Sequence, residues 1–166
     1  MSLSANIHAT CVRIGRAAVA LKAPASAGVL LLGDSGAGKS DLALRLIGRG
    51  AKLVADDRTE LSVERGRLIA RAPKSISGLM EVRGVGIVEM PHAASAHIVL
   101  VVDLAGNVKR LPERQTFAPP KGLQLAQKAR PFLIALRAFE ESAPDKILAA
   151  VAALHNDALR CSVKRI

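Results

Sequence analysis

Aromatic residues are nearly missing from this chain, which has no Trp, no Tyr and only three Phe among 166 residues. Its core must therefore be assembled from Ala, Val, Leu and Ile, and it lacks the stacked platforms on which single-stranded nucleic acid lies. Cysteine is as scarce: Cys11 and Cys161 stand far apart, with no CxxC pair and no nearby ligand spacing. That argues against a disulfide or a zinc site and predicts reduced, buried thiols. No apolar run approaches the roughly eighteen residues of a spanning helix. The opening MSLSANIHAT has neither the charged nor the apolar region of a secretory signal, so a cytoplasmic chain with no membrane partner is expected. Acidic residues are outnumbered, 14 against 24 Lys and Arg, for a net charge of +10. Clustered basic residues are the usual footprint of phosphate-backbone binding, but these are scattered, so no nucleic-acid partner is expected. An anionic small ligand or an acidic protein accounts for the charge as well. The length suits one domain with a real core.

The densest signal is in residues 29–50, VLLLGDSGAGKSDLALRLIGRG. Four apolar residues lead into Gly33, Asp34, Ser35, Gly36, Ala37, Gly38, Lys39 and Ser40, a complete GxxxxGK[ST] phosphate loop, and then into apolar positions Leu42, Leu44, Leu46 and Ile47 at helical spacing. The motif thus sits in its required order of strand, loop and helix. Its glycines permit a tight turn that aims successive N–H groups and the positive end of the helix at phosphate oxygens. In such a loop Lys39 reaches the β and γ phosphates and the Ser40 hydroxyl sits on Mg²⁺.

Around this loop the chain reads as alternating short elements. Residues 5–14 and 17–21 suggest two strands about a turn at Gly15 and Arg16, and His8 lies in the first. Gly48 and Gly50 end the helix, and Lys52 to Ala55 form a short strand ending in Asp56 and Asp57. Adjacent carboxylates there stand where α/β proteins assemble ligand sites, one suited to the metal side and the other to a hydroxyl proton. Residues 59–64 and 67–71 alternate about Arg65 and Gly66 as a hairpin. In residues 78–89, Glu81 and Arg83 point to one side if extended, suited to metal and phosphate or simply to a salt-bridged strand with a glycine bulge. Residues 97–102 read as a buried strand of a parallel sheet, ending at Asp103. His92 and His97 have no partner at ligand spacing, and His155, in the closing helix, reads as structural. Residues 109–130 are basic and proline-bearing and predict an exposed segment, followed by a strand over 131–136 and a closing helix over 144–159, with Ser142 as its cap.

Taken in order, these motifs resemble the HPr kinase/phosphorylase family. The similar stretches are GDSGAGKSDLAL, RGAKLVADD and above all LMEVRGVGIVEM, which is similar to the family signature EIRGLGI; His8 and Ala9 occupy the place of a family His-Gly pair. The resemblance implies an α/β fold of the HPr kinase/PEP carboxykinase type, a mixed sheet with a central phosphate loop and helix, in a short form holding only the C-terminal catalytic domain. It implies an ATP- and Mg²⁺-dependent serine kinase acting on an HPr-like phosphocarrier protein of the phosphotransferase system, and a homo-oligomer, a hexamer by resemblance. Lys39 would hold phosphates, Ser40 and Glu81 would sit near Mg²⁺ with Asp57 close by, and Asp56, aided by His8, would accept the serine proton. Arg83 would steady phosphoryl charge. Where family members reverse the reaction, the same acid protonates serine as phosphate attacks phosphoserine. The Pro-Gly-Arg-Asn-rich loop of longer members is reduced here to a remnant at 117–122, so phosphorylation is the firmer expectation. A nucleotide-binding regulatory module without transfer activity and a small-metabolite P-loop kinase are the alternative functions.

Overall fold

The computed structural model describes residues 3–15 and 26–160. The expected strand at 17–21 and Cys161 lie outside them. Three apolar strands build the centre: β1 (Ser4–Arg13), β2 (Ala27–Leu32) and β8 (Ala96–Asp103). β2 runs antiparallel to β1, with Ala9 opposite Leu32, and parallel to β8, with Leu32 opposite Asp103. This register brings the ends of β2 and β8 to one edge, where the chain leaves β2 as the glycine-rich loop 33–38 and enters α1 (Lys39–Ile47).

The long strand β1 changes partners along its length. Its first half pairs with β4 (Arg58–Glu64) and its second half with β3 (Lys52–Ala55), the latter pairing carrying an irregularity between Cys11 and Val12. β3 and β4 are joined by Asp56 and Asp57 alone, so both carboxylates emerge beside β1. The hairpin of β4 with β5 (Arg67–Arg71) is as expected: Arg65 and Gly66 take φ of 49° and 72°, the paired left-handed turn whose twist matches the strands. β5 pairs with β8, and β8 runs parallel to β10 (Phe132–Ala135). Among the described residues, eight strands join in one mixed sheet, with β9 (Gln115–Thr116) at its edge. β6 (Leu79–Val82) and β7 (Gly86–Glu89) form a separate antiparallel hairpin.

Both faces of the sheet are covered. On one, Leu42, Ala43 and Leu46 of α1 and Ile147 and Val151 of α2 (Ala143–His155) pack on Val12, Val29, Leu31, Leu100 and Val102. The other face buries Cys11, Leu30, Val54, Leu61, Leu68 and Val101, together with Leu123 and Leu125. Coverage on both sides explains why β2 and β8 read as continuous apolar runs rather than alternating ones. It also corrects the expectation for 109–130: Leu123 and Leu125 are buried and β9 pairs with β10, so part of that segment closes a core. Two leucines among prolines and charges have no period, which hid them. The closing helix is shorter than expected, stopping at His155, and Ser142 precedes it without making a side-chain cap. Burial pushes the Cys11 thiol far above its usual range, as expected of an inert core cysteine. Among the described residues no helix is long and apolar enough to cross a membrane.

Candidate active site

The glycine-rich loop turns because its glycines adopt backbone angles that side chains resist. Gly36 and Gly38 have φ of 83° and 92°, and Gly38 opens α1 from the left-handed region. The turn directs the first free N–H groups of α1 toward a cavity of about 600 Å³. Lys39 is buried at the start of the helix, its Nζ donating to the carbonyls of Gly33 (2.7 Å) and Asp34 (3.0 Å). Burial lowers its pKa from the ordinary lysine value, while Asp57, Asp56 and Asp34 pull the other way. The loop's N–H groups, the helix terminus and this ammonium together can receive an anion.

The two acids after β3 have different surroundings. Asp56 is buried, and its Oδ1 accepts hydrogen bonds from the hydroxyls of Ser40 (2.7 Å) and Thr10 (3.0 Å), while its Oδ2 accepts from the backbone N–H of Glu81 (3.2 Å). Asp57 is turned outward: its side chain is 67% exposed, and its Oδ1 lies 3.3 Å from Nε2 of His8. The divergence has a backbone cause. The Arg58 N–H donates to the Asp56 carbonyl at 2.7 Å and Asp57 takes φ of 63°, a tight turn that rotates neighbouring side chains apart. Aspartate tolerates this left-handed conformation better than most residues, and such strain gathers at functional sites. His8 was expected to assist Asp56; it instead meets Asp57, because the β1 and β4 register pairs His8 with Arg58, next to Asp57.

The opposite wall is the β6–β7 hairpin. Glu81 and Arg83 are both exposed and both line the cavity, but β6 ends at Val82 and Arg83 belongs to the turn. Among the described residues no ion pair joins them, which removes the simple salt-bridge reading. Two contributors had no sequence signal. Thr10 is an ordinary β-branched residue until the fold sets it on Asp56, and Phe139, on the loop before α2, lines the cavity from a position remote in sequence. A second open depression, of about 610 Å³, runs along 119–126 and Arg130 and shares no lining residue with the first.

The residues present suit Mg²⁺. Among the described residues no group of three or more His, Cys, Asp or Glu converges, as a zinc or calcium cage requires. Mg²⁺ needs less, taking one or two protein oxygens and completing its shell with phosphates and water. The adjoining Ser40 hydroxyl and Asp56 carboxylate would meet that need, and Glu81 lines the same cavity.

The profile described as HPr Serine kinase C-terminal domain matches residues 11–109, more than half of the chain. The chain belongs to that family. Among curated relatives, HPr kinase/phosphorylase of Clostridium tetani is 42% identical over 86 residues, 52% of this chain and 28% of the relative. That of Clostridium beijerinckii is 49% identical over 63 residues, 38% of this chain and 21% of the relative. The chain thus spans about a quarter of the length of these HPr kinase/phosphorylases. A solved structure of the Hpr(Ser) kinase/phosphatase from Coxiella burnetii superposes with a TM-score of 0.63 at 21% identity, covering 92% of this chain and 95% of that one. At that identity the likeness is one of fold, and it extends the mixed α/β architecture of the HPr kinase family beyond residue 109 to nearly the whole chain.

Proposed function

We propose that this protein is a serine kinase that transfers the γ-phosphoryl group of ATP to a hydroxyl of an HPr-like phosphocarrier protein, in the cytoplasm. The observation that carries the reading is the division of the two acids, Asp56 bound to Ser40 and Asp57 exposed at the cavity wall with His8 behind it at 3.3 Å. Family membership supports a serine acceptor.

In this reading Gly33 to Ser40 form the phosphate loop, whose N–H groups and Lys39 hold the triphosphate and take up charge on the departing diphosphate. Ser40, Asp56 and Glu81 would hold Mg²⁺, which when bound offsets phosphate charge. This reading exchanges the roles expected of the two acids from sequence. Asp56 is buried and already accepts three hydrogen bonds, whereas Asp57 is the acid whose side chain is open to an incoming alcohol. Asp57 removes the proton from the serine Oγ as that oxygen bonds to the γ-phosphorus and the bond to the ADP oxygen breaks. His8 fixes the carboxylate through Nε2. Arg83, on the far wall, steadies the equatorial oxygens in transit. Basic residues spread over the surface suit an acidic protein acceptor.

The test is transfer from γ-labelled ATP to purified HPr. Label on the carrier that is lost in Asp57→Asn while nucleotide binding persists is the expected result. Labelling unchanged by that substitution, or lost only with Asp56→Asn, rejects the assignment. Transfer to small alcohols but not to HPr would point to a metabolite kinase instead.

A further inference from the structure

We infer that Phe139 is the platform on which the nucleobase stacks, so that this ring makes the cleft select a nucleoside triphosphate over a bare polyphosphate. The inference rests on the nucleotide site proposed above and adds a residue to it. Phe139 is 72% exposed, in a chain with only three phenylalanines to bury. A ring left in water contributes little to folding.

The backbone that carries this ring is held in place. Arg45 of α1 donates to the carbonyls of Ala138 and, at 3.0 Å, of Glu140, on either side of Phe139. The Arg45 guanidinium is itself fixed by Asp41 at 3.0 Å, and the Ala143 N–H closes the turn on the Glu140 carbonyl at 3.1 Å. The backbone of Phe139 is thereby tied to the helix that springs from the phosphate loop.

The ring also touches the loop. A Cβ built on Gly38 would lie 2.9 Å from the ring Cζ and 2.7 Å from the Ala138 Cβ, so the close approach depends on glycine. Leu44, Leu79 and Ile87 line the same cavity, which therefore has an apolar part beside the charged part made by Lys39, Ser40 and Asp56. An apolar surface fastened to a phosphate-binding loop meets whatever is covalently attached to those phosphates, and in a nucleotide that is a flat heterocycle. Every base has a face that stacks on an aromatic ring. Because the backbone carrying the ring is held beforehand, less ordering is needed when the base arrives.

The experiment is calorimetric titration of the full chain with ATP and, separately, with inorganic tripolyphosphate, both in Mg²⁺. Phe139→Ala should weaken ATP about tenfold, the usual scale of one base stacked on an aromatic side chain, and leave tripolyphosphate unchanged. Because the chain has no Trp, Phe139→Trp supplies a single emitter. It should bind ATP at least as tightly as the wild type, with its emission altered by ATP and not by tripolyphosphate. Equal ATP affinity in Phe139→Ala and wild type overturns the proposal. So does an equal loss for both ligands, or a tryptophan indifferent to ATP. Normal ATP binding with a raised KM for the carrier would make the ring a protein contact instead. The underlying reading fails differently: a wild type that binds neither ligand removes the phosphate site and the platform together, whereas one that binds both equally well removes only the platform.

Discussion

The two walls of the cleft are built on opposite plans. On the loop wall Asp56, Thr10, Ser40 and Lys39 are buried or nearly so and satisfy one another with hydrogen bonds between 2.7 and 3.0 Å, to side chains or to loop carbonyls. On the hairpin wall Val85 and Ile87 are each 74% exposed, and Glu81 and Arg83 stand in solvent. A lone two-stranded hairpin is marginal in water. This one is held by Met80, buried in the helix-side core, and by its Glu81 N–H on Asp56. The difference teaches that groups needing exact position are locked by buried polar partners, while groups left for an incoming molecule are carried on an element with few anchors. Asp57 belongs to neither extreme, being fixed by its backbone turn and open in its side chain.

The largest effect is expected at Asp57. Asp57→Asn keeps the shape and removes the proposed base, so the proposed transfer to the carrier should fall by about 10² to 10⁴-fold, measured by single-turnover labelling, with folding unchanged. A loss below about tenfold would move the base elsewhere. The walls should next separate in stability. Leu42→Ala, in the core beneath the loop, should cost about 2 to 5 kcal/mol in urea denaturation, whereas Ile87→Ala on the hairpin should stay within about 0.5 kcal/mol. Comparable losses from both would mean that the hairpin is far better anchored than its contacts imply.

Thr10→Val sharpens the comparison within the loop wall. It removes one of two hydroxyls from Asp56 Oδ1 and should cost about 1 to 3 kcal/mol, the remaining Ser40 contact keeping the site assembled. Nucleotide affinity that collapses along with stability would show that Thr10 does more than hold Asp56.

The smallest effect concerns His97, far from either wall. Burial, helped by Arg67, lowers its pKa from 6.5. For a base with a lowered folded pKa, the unfolded chain takes up the proton first as the pH drops. Stability is therefore complete above about pH 6.5 and falls below it until the folded pKa is passed. His97→Gln should show a shallower decline in melting temperature between about pH 7.5 and about pH 5 than the wild type. Parallel curves would assign the acid sensitivity to other groups.

Much of this molecule is set by near neighbours in the chain and was therefore legible from residue order. The glycine-rich loop, the apolar stripe of α1, the Arg65 and Gly66 turn and the two-sided burial of β2 and β8 all follow from spacing, because backbone angles and periodicity act over a few residues. Residue order also marked Asp56, Asp57, Glu81 and Arg83 as a group worth attention. It could not say which acid meets Ser40, since that depends on a turn at Asp57 and on contacts between residues 16, 25 and 46 positions apart. Nor could it bring Phe139 to Gly38 or fold Leu123 and Leu125 into the core. Those juxtapositions arise only when strands pair in register and helices dock, a choice made by the packing of the whole chain rather than by any one stretch of it.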